Sequence, residues 1–439
     1  MKHHSNPKFN QRGASLIVLV LVLVLVLGGL AVVFSSLDGQ SIRAERDKKT
    51  HEALSEAKLA LIGYAARSGL ATGAARPGEL PCPDANNDGS SDVCAVNALG
   101  RLPWRTLGIN DLRDGDGERL WYAVSTTFKN NPRIYPLNSD TLGTISLRDS
   151  AGNMLNDGSA NNGLVAVIVS PGVPMTRQDG VHQVRDVANI NNAINYLDNA
   201  LGEDNQNFLN SNLNGFVLGP IKDATGDIIL NDKIVSISRH EIMIPVERRV
   251  AATVINALLD YFCGSGNVNY DTNTCLAAGG PRSYPHPANF ADSTCLGIGN
   301  LAAGCASDLT VNHGRLPANP NLSWDTTSLL LGSNGNWFQR NGWREQVHYA
   351  VAPACVIGTT DCDGLGFQTL NISLLNTVDA NLIVAVGGEA LTGQSRASVA
   401  DKLNEANYLE DENLTTADDV YTNLSLMGNP FNDRVVSLP

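Results

Sequence analysis

The chain lacks a basic patch. It has 31 Lys and Arg against 44 Asp and Glu, for a formal net charge of −13. A nucleic-acid partner is therefore not indicated, because phosphate binding needs clustered positive charge. Aromatic residues are sparse at 6%. The eight cysteines form no C-x-x-C pair, which argues against zinc ribbons and thioredoxin-like redox chemistry. The P-loop pattern G-x-x-x-x-G-K-[ST], the nucleophile elbow G-x-S-x-G and the zinc pattern H-E-x-x-H are all missing. Ser55-Glu56-Ala57-Lys58 has S-x-x-K spacing but reads as the solvated face of an amphipathic helix. His286, His313 and His348 lack zinc-ligand spacing. Trp104, Trp121, Trp324, Trp337 and Trp343 read as packing residues before they read as a carbohydrate surface. An anchored hydrolase thus has no motif to support it, and the chain reads as a non-enzyme.

What is present points elsewhere. The 439 residues suggest two to three domains. Apolar residues make up 43% of the chain, and 41 glycines sit among Asn, Asp and Ser clusters, so a loop-rich fold is expected. By spacing, the cysteines pair as Cys82 with Cys94, Cys263 with Cys275, Cys295 with Cys305, and Cys355 with Cys362. Disulfides imply an oxidising compartment.

The N-terminus sets the class. Residues 1–13 are polar and basic, with Lys2, Lys8 and Arg12 and no acid. Residues 14–34 then run without a charge, the length needed to span a bilayer as a helix. A strand there would leave its backbone unpaired in lipid. The basic leader favours an inside N-terminus, whereas Arg43, Arg46, Lys48 and Lys49 after the span weigh against it. No proline occurs from residue 37 to 67, and Leu54, Ala57, Leu61 and Ala65 recur at helical spacing. A helix over 14–67 would be roughly 80 Å long.

Gln11-Arg12-Gly13-Ala14-Ser15-Leu16-Ile17 resembles a prepilin cleavage site with a class III-like leader. The resemblance is to minor subunits of type IV pili and type II secretion pseudopili. It implies cleavage after Gly13 by prepilin peptidase and methylation of Ala14. Two positions depart from the usual pattern: Ala14 stands where Phe is usual, and Val18 stands in place of the fifth-residue Glu. Some minor pilins, and the minor pseudopilin that caps the pseudopilus, depart similarly. The resemblance implies an inner-membrane, single-pass protein with a periplasmic C-terminal part, or an extracellular one within a pilus. Its implied partners are other pilin or pseudopilin subunits.

An internal repeat follows. Ala60-Leu61-Ile62-Gly63-Tyr64 has a counterpart in Ala257-Leu258-Leu259-Asp260-Tyr261. Gly100-Arg101-Leu102-Pro103 recurs as Gly314-Arg315-Leu316-Pro317. Tyr122-Ala123-Val124 recurs as Tyr349-Ala350-Val351, and Leu164-Val165-Ala166-Val167 matches Ile383-Val384-Ala385-Val386 and the Leu382 before it. Asn195-Tyr196-Leu197-Asp198 matches Asn407-Tyr408-Leu409-Glu410. Asn231-Asp232-Lys233 matches Asn432-Asp433-Arg434. The common order predicts an α+β fold. In it a leader (1–13) and a long pilin-like helix (14–67) carry two tandem, turn-rich modules, 68–239 and 240–439, the second repeating 51–239. The join falls at 238–245, with Pro245 in the first turn of the second helix. The segments around Asp114–Tyr122 and Asn341–Tyr349 resemble the Asp-x-Trp-Gly…Tyr stretch of pseudopilin heads.

Asp84, Asn86, Asp88, Ser90 and Asp92 fit the opening of a calcium loop, although Ala95 stands where the bidentate Glu belongs. The plainer reading is a polar turn clipped by Cys82 and Cys94. Asp114, Asp116 and Glu118 form a second acidic turn. Two functions remain in view: a minor pilin or pseudopilin at or near a filament tip, and a bitopic extracytoplasmic binding protein or adhesin outside any filament.

Overall fold

The computed structural model describes residues 12–68, 76–94, 98–207, 215–263, 283–297, 304–318, 337–356, 370–374, 376–414, 420–422 and 431–438; of the side chains in 12–39, only Val22 and Leu23 are described. Helix α1 (Arg12–Arg67) is continuous. Residues 40–49 are exposed, and burial begins at Thr50. From there Ala53, Leu54, Ala57, Leu61 and Ala65 form a buried stripe, at the three- and four-residue steps that place side chains on one face. The expected packing stripe is therefore present.

That stripe covers an antiparallel sheet of β1 (Ala98–Arg101), β2 (Trp121–Val124), β3 (Ala166–Ser170) and β4 (Lys233–Ile237), in that order. Alternation divides the strand residues between two faces. Tyr122, Val124, Ala166, Ile168 and Ile237 join the core with α1. Trp121, Ala123, Val167 and Val169 face the other way, onto Ile145, Leu147, Tyr196, Leu197 and Phe216. A side sheet supplies part of that second layer. In it Ser146–Arg148 pairs antiparallel with Met154–Asn156 and parallel with Gly215–Val217.

Helix α2 (Arg239–Cys263) follows β4 directly. Its start falls within the expected join at 238–245, but Pro245 lies inside the helix and not in its first turn. Ser238 is the reason. Its N–H and hydroxyl both donate to Glu241 Oε2, at 2.9 and 3.0 Å, and Glu241 N–H donates back to Ser238 Oγ at 3.3 Å. This capping box nucleates the helix ahead of the proline.

The second sheet repeats the first. Strands β5 (His313–Arg315), β6 (Val347–Val351), β7 (Leu382–Val386) and β8 (Arg434–Leu438) pair antiparallel in that order. Its side sheet also matches, with Leu370–Leu374 antiparallel to Asn376–Ala380 and parallel to Val420–Tyr421. Both helices and the inner faces of both sheets share one apolar core. Lys58 of α1 closes its edge, 2.5 Å from Glu241 of α2. The protein is thus α+β, with α1 from residue 40 to 67 packed on antiparallel sheets. Among the described residues no helix is long and apolar enough to cross a membrane. The uncharged run 14–34 has its side chains outside the described residues, apart from Val22 and Leu23.

Candidate functional sites: a buried arginine cluster in each module and the seam between them

The repeated motifs of the sequence come together in space. In Gly-Arg-Leu-Pro, a Cβ on Gly100 would press into the main chain of Asp84, and one on Gly314 into that of Ala288. Each of those neighbours exchanges two backbone hydrogen bonds with the motif arginine, at 2.8 to 2.9 Å. Only glycine permits so close a crossing. The arginine then turns inward. Arg101 is 3% exposed and donates to Arg119 O and Ile190 O, both at 2.9 Å. Its guanidinium lies 4.1 Å from the Trp121 ring centre and 4.0 Å from that of Tyr196. Arg315 donates to Phe290 O, Glu345 O and Lys402 O and stacks on Phe290 at 3.9 Å. Burial lowers the pKa of both, that of Arg101 to about 10. Aromatic faces and carbonyl oxygens take the place of water around each cation.

Two residues beyond Tyr196 and Tyr408 stand Asp198 and Glu410, each one of a pair of carboxyl groups. Asp232 Oδ2 accepts from Asp198 N–H at 2.8 Å and from Asn205 Nδ2 at 2.9 Å, while Asn231 N–H donates to Asp198 Oδ2 at 2.8 Å. The second module copies this set. Asp433 Oδ2 accepts from Glu410 N–H at 3.0 Å and Asn413 Nδ2 at 2.9 Å, and Asn432 N–H donates to Glu410 Oε2 at 3.0 Å. Burial first, and then the neighbouring carboxylate, push Asp232 and Asp433 well above the ordinary carboxyl range. Burial and a neighbouring like charge both favour the protonated form. The cluster ties together loops distant in sequence, and every named donor in it is committed to doing so.

The sequence reading missed a second arginine in each copy. Gln183-Val184-Arg185 and Gln394-Ser395-Arg396 share a Gln-x-Arg spacing a short way before Asn-Tyr-Leu, which was the available signal. Gln183 and Gln394 each donate to the acid of the next motif, Asp198 and Glu410, at 2.9 Å. Arg185 stays within its own module, 3.4 Å from Glu118. Arg396 reaches across the seam, 2.8 Å from Asp140 of the first module.

At that seam Asn138 Nδ2 donates to Asn341 O at 2.8 Å, and Leu137 N–H donates to Asn341 Oδ1 at 3.1 Å. Ser139 Oγ donates to Glu247 Oε1 at 2.8 Å, and Gln346 Nε2 donates to Asp140 Oδ2 at 2.5 Å. Glu247, another residue the sequence did not single out, is 3% exposed. Its pKa is raised to about 7 by burial, against the opposing effect of the Ser139 bond and Arg434.

The residues expected from sequence fare differently. Disulfides Cys82–Cys94 and Cys295–Cys305 are formed, one ahead of each Gly-Arg-Leu-Pro. Cys355 is disulfide-bonded, while Cys362 and Cys275 lie outside the described residues, as does the Cys263 side chain. These disulfides fit an oxidising, extracytoplasmic compartment. The calcium-type loop is turned in on itself. Asp84 is 1% exposed, and its carboxylate accepts N–H bonds from Asn86, Asn87, Asp88 and Gly89. Asp92 accepts from Ala85, and Asp88 from Ser90. The loop's own amides thus hold the Asp84 carboxylate in place. Among the described residues no group of three His, Cys, Asp or Glu is placed to hold a metal. The acidic turn meets α1 through Gly115 N–H on Thr50 Oγ1 at 2.9 Å and Asp116 paired with Arg46, while Asp114 accepts from Ser170 and Glu118 pairs with Arg185. Gly13 and Ala14 fall within α1, with their side chains outside the described residues. Trp121 and Trp343 are buried in the core.

No family model, no curated protein and no solved structure matches the chain.

Proposed function

We propose that the protein is a minor pilin-like or pseudopilin-like subunit, anchored by α1 and carrying a doubled extracytoplasmic head. The observation that carries this reading is the division of α1. One continuous helix is buried from Thr50 onward against an antiparallel sheet, yet exposed over residues 40–49. Such a helix belongs to the head at one end and leaves it at the other. The uncharged run 14–34 suits lipid or a bundle of like helices, and Val22 and Leu23 are both more than half exposed. Gly13-Ala14 supplies the processing site, and prepilin peptidase, the inner membrane and other pilin subunits are the partners. The repeated motifs meeting in matching clusters support descent of both modules from one unit.

The doubled head favours a rare position. A second module on every subunit would crowd a tightly packed helical bundle. Val18, where a carboxylate is usual, removes the need for a neighbour's amine to balance a buried charge. Quantitative proteomics of sheared filaments tests this. The protein should be present at a small fraction of the major subunit, and stoichiometric amounts along the shaft would contradict a tip position.

A second reading, a bitopic binding protein outside any filament, draws on one feature. A cleft of about 390 Å³ opens in the first module between Gln178, Asp179, Asn199, Leu201, Asp204 and Ile229. Complete absence from purified filaments would favour it.

A further inference from the structure

Glu247 sits at a place where the two modules are built alike but closed differently. Aligning Tyr64 of α1 with Tyr261 of α2 places Thr50 opposite Glu247. Thr50 is covered by its own module's turn, through Gly115. Glu247 is covered by the other module's loop, through Ser139. The second module is thus completed by a segment of the first.

The charges around Glu247 are nearly all spoken for. Arg239, on α2 itself, pairs with Glu389 from the segment after β7. Arg396 pairs with Asp140 of the covering loop. Arg434 on β8 is the remaining cation, 3.6 Å from Glu247 Oε2, and its Nε makes no hydrogen bond. His240 on α2 lies at the exposed edge of the site. The cavity beside the carboxyl, lined by Ser139, Arg239, Glu389, Asn432 and Arg434, measures about 10 Å³. That holds one water at most. An ionised carboxylate needs more hydration than this space admits.

We propose that Glu247 is a proton-operated latch between the modules: protonated it seals the seam, and on losing its proton to solvent it draws in water and frees the loop of residues 137–140. The carboxyl titrates at about 7, raised chiefly by burial. Its folded pKa lies above the ordinary carboxyl value, so the seal is strongest in acid and is lost as the pH rises through neutrality. The proton is the only species exchanged, and no covalent bond other than O–H changes.

Hydrogen exchange on the full chain in detergent micelles, corrected for intrinsic rates, tests this. From about pH 6 to about pH 8, peptides covering 137–141 and the start of α2 should lose protection about tenfold, while β3 stays protected. Glu247→Gln should abolish the pH dependence. Ser139→Ala removes a bond that favours the charged form, so it should move the midpoint to higher pH. A flat wild-type profile, or a Glu247→Gln profile that keeps the wild-type slope, overturns the proposal. Should Glu247→Gln fail to fold, an unmoved midpoint in Ser139→Ala overturns it instead.

Discussion

At matching places in the two modules, the last strand of the sheet offers a cation to the helix packed on it. In the first module Lys233 meets Asp47 at 2.5 Å, and in the second Arg434 meets Glu247 at 3.6 Å. Lys233 aligns with Arg434 because each stands opposite the last residue of the neighbouring strand, Ser170 or Val386. The Asp47 side chain is 69% exposed and that of Glu247 only 3%. One module left its ion pair in water, and the other had its pair roofed over by residues 137–140. The same element pairing thus gives a surface contact worth little and a buried one whose charge state matters. Context, more than the pair itself, sets the physics.

The largest losses are expected at the clusters the modules share. Arg101→Ala and Arg315→Ala should each cost on the order of 3 to 5 kcal/mol in denaturant unfolding. Each strands carbonyl oxygens and unstacks aromatic rings. A loss in one module and none in the other would show that the two clusters are not equivalent. Next come the staples. Replacing Cys82 and Cys94, or Cys295 and Cys305, by serine should cost about 3 kcal/mol each by loop-closure entropy. The two losses should agree, because the sequence separations of 12 and 10 are close.

The two ion pairs also differ in their response to pH. Glu247 holds its proton to about pH 7 in the fold, above its ordinary value of 4.5. Its contribution to stability is complete below the ordinary value and fades as the pH climbs to the folded one. Glu247→Gln should therefore gain up to about 3 kcal/mol over wild type at pH 8 and almost nothing at pH 4. Lys233→Ala, on the exposed pair, should change stability by less than about 1 kcal/mol. Thermal unfolding of both variants at the two pH values reads the difference.

The clusters themselves were half legible. Arg101, Tyr196, Asp198, Asn231 and Asp232 all fell within repeated motifs, because a buried polar network tolerates few changes in either copy. What the motifs shared was a three-dimensional meeting point, and short matches in one dimension do not show that. Arg185 and Arg396 were missed because Gln-x-Arg is too brief to notice without knowing the cluster. The helix stripe on α1 was legible from spacing alone. The place of Pro245 within α2 was not, since proline suits a first turn and the Ser238–Glu241 capping box went unread. The calcium-type loop shows how one spacing serves two ends: Asp and Gly positions that suit a cation also suit an aspartate wrapped by its own amides. Glu247 could not be foreseen, because its burial depends on a loop far away in sequence.

In the proposed function, this doubled head rides on a processed, membrane-inserted helix. Intact-mass and N-terminal peptide spectrometry of the protein from cells with active prepilin peptidase tests it most directly. The expected result is a chain that begins at Ala14, methylated on its amino group. An intact chain beginning at Met1, or one cut after residue 34, would contradict it.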